Sequence, residues 1–317
     1  MDKLISYLDS VESNKYRFSG DGLVAAISPH DDYLYAGKVY YPLFKLISAG
    51  EIVIFGVTHG TVRKEMNNPE NVIILEEFDG WKGLDKNIAI SPLREKIKSE
   101  LSKDYYVISN KAHNIEHSIE ALIPWLQYYN KEFRITPVMV TAMSYRKMEL
   151  ISEQLAQIIT DYTRSNNLVP GKDIFFLISN DANHYGVDFN NSIFGLDSNA
   201  HRVAVENDRR IIKQFLEGEI NHSKINRLKS EIWADSSNQD RCPLWCGRYP
   251  VVFGLLTIDS FLQQVGIEGF SGKLFAYSDT WSGKVLPLYG TSLGITAPFS
   301  LKHWVGFFSA GFYIHTN

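Results

Sequence analysis

Cysteine is nearly absent from this chain: Cys242 and Cys246 are the only two in 317 residues. So few exclude a secreted disulfide scaffold. There is no basic block either, and 32 lysines and arginines against 36 acidic residues leave a net charge of −4. Nucleic acid and anionic membrane are therefore not expected partners. No apolar run approaches the length of a membrane span, and the opening Met1-Asp2-Lys3-Leu4 lacks a charged-then-apolar signal pattern. The expected compartment is the reduced cytoplasm. A glycine-rich phosphate loop and a Gly-x-Ser-x-Gly elbow are both missing, which argues against a P-loop nucleotide enzyme and an α/β-hydrolase. What is present is an ordinary globular composition, 44% hydrophobic and 13% aromatic. A chain of this size can bury roughly three quarters of its unfolded surface, so folding needs no disulfide or structural metal.

The stretch that organises the rest is Leu23-Val-Ala-Ala-Ile-Ser-Pro-His-Asp-Asp-Tyr33. Leu23 to Ile27 is an apolar run of strand length, ended by Ser28-Pro29, because proline has no N–H for a ladder. His30, Asp31 and Asp32 follow at the carboxyl end of that strand, the edge where open α/β sheets bind ligands. A helix is expected over Lys38–Ala49 with Gly50 as its C-cap. A second buried strand, Glu51 to Gly56, runs out into Val57-Thr58-His59. Further strands are expected at Val72–Phe78, Phe133–Thr141 and Asp173–Ser179, the last ending in Asn180-Asp181-Ala-Asn-His184, and Tyr105–Ser109 is short and apolar. Helices are expected at Pro92–Leu101, from Ser118 to about Tyr129, and at Lys147–Thr163, Glu206–Leu216, Ser223–Trp233 and Val251–Val265. The tail offers strands at Gly272–Tyr277 and Val305–Tyr313. This alternation predicts an α/β fold: one domain over residues 1–317, with a mostly parallel central sheet flanked by helices and an antiparallel edge from the tail.

His30, His59 and His184 each follow a buried strand, and Cys246 sits in a turn beside Gly247. Imidazole and thiolate are ligands for zinc, copper or iron. Singly, each histidine reads as a hydrogen-bonded strand end and the thiol as a small hydrophobe. Several strands ending in histidine at one edge is harder to attribute to packing, and pattern alone leaves a metal site and a structural reading both open. His113-Asn-Ile-Glu-His117 matches the H-x-x-E-H pattern of inverzincins, but Ser118 reads as an N-cap, so the helix should begin after His117. Pro29-His-Asp-Asp32 resembles the loop of zinc-dependent sugar deacetylases with proline and histidine exchanged, and no second His-x-x-His follows. Asp31 and Asp32 read either as an acid–base pair or as a turn.

Five segments in order carry a more specific resemblance: Ser28-Pro-His30 with Tyr33 and Gly37, Gly56-Val-Thr-His59, Glu116-His-Ser-Ile-Glu120, Ser179-Asn-Asp181-Ala-Asn-His184-Tyr-Gly186, and Cys246-Gly-Arg-Tyr-Pro250. With these the chain resembles the Memo-like family, whose bacterial branch is called AmmeMemoRadiSam system protein B. That family is similar in fold to the class III extradiol ring-cleaving dioxygenases. The resemblance implies that His30, His59 and Cys246 bind a metal, with iron expected first and copper or zinc as alternatives. It implies that His184 handles protons, with Asp181 and His117 in the same cleft. Asp31, Asp32, Tyr33 and Tyr249 would line a pocket for a small molecule or peptide. Asp31 and Asp32 stand where the family has Ala-Gly, and Gly60 and Tyr249 replace two of its histidines. The implied function is a metal-dependent redox enzyme or dioxygenase-like protein of unknown substrate. A metal- or partner-binding protein without turnover, and a metal-assisted hydrolase using Asp31 or Asp32, are the alternatives.

Overall fold

The computed structural model describes residues 1–233 and 244–315. Its strands are β1 (Leu23–Ser28), β2 (Glu51–Val57), β3 (Ile73–Leu75), β4 (Gly80–Trp81), β5 (Ile88–Ile90), β6 (Tyr106–Ile108), β7 (Arg134–Val140), β8 (Ile174–Ser179), β9 (Asp181–Gly186), β10 (Gly218–Ile220), β11 (Phe270–Asp279) and β12 (His303–Ile314). All join one sheet, ordered β10-β11-β12-β1-β8-β2-β7-β3-β6 along its main path. The centre, β1-β8-β2-β7, is parallel throughout. The tail strands form an antiparallel block against β1, as expected, and β3 also runs antiparallel to β7.

The central strands are buried at every position but Arg134 because helices cover both faces. Alternation then divides their side chains. Val53 and Phe55 of β2 and Ile174, Phe176 and Ile178 of β8 face one core. Ile52, Ile54, Phe175 and Leu177 face the other. The first core is covered by α4 (Leu93–Glu100), α7 (Tyr145–Ser165), α8 (Ser198–Phe215), α9 (His222–Ile232) and α10 (Arg248–Gln264); the second by α1 (Asp2–Glu12), α2 (Tyr33–Phe44) and α6 (Ile123–Tyr129). Burying one such Phe, Ile or Leu fully contributes on the order of 1.5–3 kcal/mol. Short helices α3 (Gly60–Glu65), α5 (Asn110–Ile115) and α11 (Thr280–Gly283) lie in the connections. Among the described residues no helix is long and apolar enough to cross a membrane.

Four local expectations need correction. The helix expected over 38–49 begins at Tyr33 and ends at Phe44, and Gly50 does not cap it. Leu46 and Ile47 kept the helical spacing because single turns bond their N–H groups back to Leu43 and Phe44. Ser118 caps no helix; its hydroxyl accepts the Val57 N–H at 2.9 Å instead. Residues 181–186, expected as loop, form β9 because β12 offers an antiparallel partner, with His184 opposite Val305. The helix expected from Glu206 starts at Ser198, where the Asp197 carboxylate accepts the Ala200 N–H at 2.8 Å.

Candidate metal centre

Parallel pairing brings the carboxyl ends of β1, β2 and β8 to one edge, and the side chains that follow them meet there. His30, after β1, is buried. Its Nδ1 lies 2.8 Å from the Ser179 hydroxyl at the end of β8. That hydroxyl donates to the Ser118 carbonyl at 2.6 Å, so its oxygen is left to accept from His30 Nδ1–H. Nε2 of His30 therefore carries the lone pair, 3.5 Å from Cys246 Sγ and 3.1 Å from Asp181 Oδ2. His59, after β2, is held in the same tautomer by a different partner: Nδ1 lies 2.7 Å from Glu116 Oε1, and its backbone N–H donates to Glu116 Oε2 at 3.0 Å. A histidine whose Nδ1–H is tied to a carboxylate is the usual arrangement for binding metal through Nε2.

Glu116 is itself buried and also accepts the Ser118 N–H at 3.0 Å. Burial works against its charge, but the His59 ring and the N–H groups of His59 and Ser118 prevail and bring the carboxyl down to about 2. It stays an anion. His30 is held neutral, its pKa driven well below the usual imidazole range by burial and by His59, His117 and His184 around it. Burial likewise pushes the Cys246 thiol well above its ordinary range, and the neighbouring Asp181 adds to this. A bound cation would favour the thiolate. Burial raises Asp181 to about 7, against bonds from the backbone N–H groups of His30 and Asp31. The His184 ring is lowered to about 3, chiefly by burial and then by His59. Its Nε2 is buried and, among the described residues, has no hydrogen-bond partner.

His30, His59 and Cys246 place their ligand atoms within 4.8 Å of one another. The same is true of Asp181, His184 and Cys246, and of His59, Glu116 and His117. Two imidazoles, a thiol and a carboxyl group fit a transition metal that accepts nitrogen and sulfur. Cys246 reaches the cluster because Gly247 passes against Ser179 and Asn180, where a Cβ would sit 2.7 Å from the Ser179 carbonyl oxygen and 2.5 Å from Asn180 Oδ1. Behind the cluster lies a residue that sequence reasoning missed. Asp208, wholly buried on α8, accepts Trp245 Nε1–H at 3.1 Å, the Tyr277 hydroxyl at 2.9 Å and the Asn183 N–H at 3.2 Å. It thus ties the turn before Cys246 to the strand carrying His184. Glu116 and Ser179 were also given no role, although both stand in motif segments. Cys242 lies outside the described residues.

An open cleft of about 440 Å³ adjoins this cluster, lined by His30, Asp31, Asp32, Tyr33 and His117 among others. His117 is largely exposed and stacks on His59 at 4.6 Å between ring centroids. The Tyr33 hydroxyl donates to the Ala121 carbonyl at 2.6 Å. The structure does not bring Tyr249 to this cleft; its ring packs on Trp233, with centroids 4.9 Å apart. The H-x-x-E-H segment is not a continuous helix. His113 sits on α5, which ends at Ile115, and Glu116 is extended. His113 turns its Nε2 to the Ile74 carbonyl at 3.1 Å, away from His117's role.

Comparison with known proteins places this geometry in context. A family model described as "Memo-like protein" matches residues 2–285. A MEMO1 family protein of Aquifex aeolicus is 29% identical over 164 residues, 51% of this chain and 54% of the relative. A MEMO1 family protein of Saccharolobus islandicus is 27% identical over 198 residues, 60% and 58% of the two chains. One of Sulfurisphaera tokodaii is 26% identical over 201 residues, 60% and 59%. The matched region thus spans little more than half the length of these relatives.

Proposed function

The chain belongs to the Memo-like family, and from that premise we propose that it is a metal-dependent oxidoreductase of the dioxygenase type, with His30, His59 and Cys246 as ligands. One observation carries the reading: both histidines have Nδ1–H tied to an acceptor, leaving Nε2 free toward a thiol inside a 4.8 Å cluster. Iron is the expected metal, with copper or zinc as alternatives for the same donors. When bound, it supplies Lewis acidity and, for iron or copper, one-electron redox chemistry. The protein groups supply the rest. Glu116 keeps His59 oriented and basic, and the Ser179 relay does so for His30. His184 and Asp181 are the groups placed to take a proton from a substrate, since His184 Nε2 has no hydrogen-bond partner among the described residues and Asp181 contacts His30 and Cys246. His117 and Tyr33 contact a small molecule or peptide in the cleft. The likeness to class III extradiol dioxygenases belongs to this proposal, supported by the parallel sheet with histidines at its carboxyl edge.

The test is elemental analysis of anaerobically purified protein beside His30→Ala, His59→Ala and Cys246→Ser, followed by oxygen uptake with catechol-type substrates. Near-stoichiometric iron or copper, lost in each variant, with oxygen consumed, is the expected result. Unchanged metal content in the variants would end the reading. Bound iron without turnover across the panel would favour a binding protein, a second reading motivated by the thiol where the iron facial triad has a carboxylate. Zinc with ester or amide hydrolysis would favour a hydrolase. In that case Asp31 is the better candidate base, since Asp32 is engaged by Thr296.

A further inference from the structure

The segment 284–302, between α11 and β12, crosses the mouth of the cleft as a strap without regular structure. It lies almost wholly beyond the family-matched residues, which end at 285. It is attached at several separate points: Leu286, buried in the second core, gives its N–H to the Leu34 carbonyl at 2.8 Å, Lys3 Nζ donates to the Gly290 carbonyl at 2.9 Å, the Tyr35 hydroxyl donates to the Ala297 carbonyl at 3.5 Å, Phe299 sits edge-on to Tyr35, and Leu288 and Leu293 pack against the same core. At the cleft itself, among the described residues, its side-chain hydrogen bonds go to one residue. Asp32 accepts the Thr296 hydroxyl at 2.9 Å with Oδ1 and the Thr296 N–H with Oδ2. The strap residues Ser292, Leu293, Gly294 and Thr296 line the cleft beside this latch. Glu120, from the segment following His117, lines the same space. Among the described residues no lysine or arginine lines it; the basic group that faces both Asp32 and Glu120 is His117, which lines the same space.

We propose that Asp32 is a specificity-determining residue: it fixes the strap as a wall of the cleft and, with Glu120, selects an amine-bearing ligand over a carboxylate- or phosphate-bearing one. The latch prevents the Asp32 carboxylate from swinging into water, so its charge stays at the wall. A cation entering between Asp32 and Glu120 is attracted by both and an anion is repelled by both, a discrimination that added salt weakens. The ligand class rests on the reading of this cleft as the substrate entrance. The latch does not.

The test pairs tyramine with 4-hydroxyphenylacetate, two phenols whose tails carry opposite charge, titrated by calorimetry at low and high salt. Hydrogen–deuterium exchange over residues 290–298 reads the strap. The full chain is used, with and without added iron. The wild type should bind tyramine at least ~10-fold tighter, a preference reduced by salt. Asp32→Asn should bring that preference below about threefold. Thr296→Val, which keeps the charge, should retain it. Asp32→Ala should speed exchange in the strap by about tenfold or more. Equal binding, tighter binding of the acid, or no binding of either overturns the ligand class; unchanged strap exchange in Asp32→Ala overturns the latch. Metal binding lost with the preference intact would sink the metal reading alone, and metal bound with no preference would sink this one alone.

Discussion

Replacing Glu116 by glutamine is the sharpest perturbation of the proposed centre, because Glu116 touches no substrate-lined surface and yet decides how His59 presents its nitrogen. The carboxylate accepts three N–H groups, from the His59 ring at 2.7 Å, the His59 backbone at 3.0 Å and the Ser118 backbone at 3.0 Å. A glutamine can keep one oxygen on the Oε1 side, serving the His59 ring and Ser118. Its amide nitrogen then faces the His59 N–H, donor against donor, and the buried N–H is orphaned at a cost of about 1–3 kcal/mol. The lost charge also makes His59 a weaker base. Removing such a partner lowers metal affinity about 10–100-fold. The size of the native preference can be read from the titration: a carboxyl at about 2 rather than 4.5 favours the anion by roughly 3 kcal/mol at about 1.36 kcal/mol per unit. The sign follows. In metal-free protein this group's stabilisation is complete above about pH 4.5 and is lost as pH falls toward 2, so Glu116→Gln should flatten the acid limb of the unfolding curve. The assay is a competition titration with a chromophoric chelator, beside thermal melts from pH 2 to 7. Metal affinity within threefold of wild type, in a variant that melts cooperatively, would refute the assignment of Glu116 and with it the tautomer argument for His59.

Three further outcomes follow from the same geometry. Ser179→Ala leaves His30 Nδ1–H and the Ser118 carbonyl without the hydroxyl between them; metal affinity should fall about tenfold, measured by the same competition. Gly247→Ala drives a Cβ against the Ser179 carbonyl and Asn180, which should cost about 1–3 kcal/mol in chemical denaturation and displace Cys246, read as loss of any thiolate-to-metal absorption. Asp208 is raised to about 6, mainly by burial, despite bonds from Trp245, Tyr277 and Asn183. Protonated Asp208 is favoured in the fold, so its contribution is full below about pH 3.8 and is lost as pH rises through 6. The difference in unfolding free energy between wild type and Asp208→Asn should therefore drift by about 3 kcal/mol across that window, wild type losing ground as pH rises. A flat difference would show the carboxyl to be ordinary.

The proposed ligands stand out in the sequence more than the residues that orient them. Runs such as Glu51–Val57 and Ile174–Ser179 announce buried strands locally, and a histidine just beyond each is visible without knowing the partner strands. That is why His30 and His59 could be placed at one edge from pattern, and Cys246 through the family motif. β9 could not be placed, because its ladder partner, β12, lies more than a hundred residues later and residues 181–186 carry no strand pattern of their own. The start of α2 was missed for a related reason: Pro29 and the two aspartates look like a loop, but Asp32 already occupies the N-cap position and its carboxylate is spent on Thr296. Tyr249 was assigned to the pocket by position after Cys246, yet the first turn of α10 rotates it onto Trp233. The deeper asymmetry is chemical. A metal restricts its ligands to a few residue types, so they stand out in any strand-end loop. Orienting a histidine needs only an acceptor, and a carboxylate, a hydroxyl relay or a backbone carbonyl will serve. His59 uses the first and His30 the second, while His113, matching the motif better than either, spends its ring on the third. Residues chosen from so wide a set leave no fixed signature in sequence, so Glu116, Ser179 and Asp208 became assignable only when the strands that bring them together were in place.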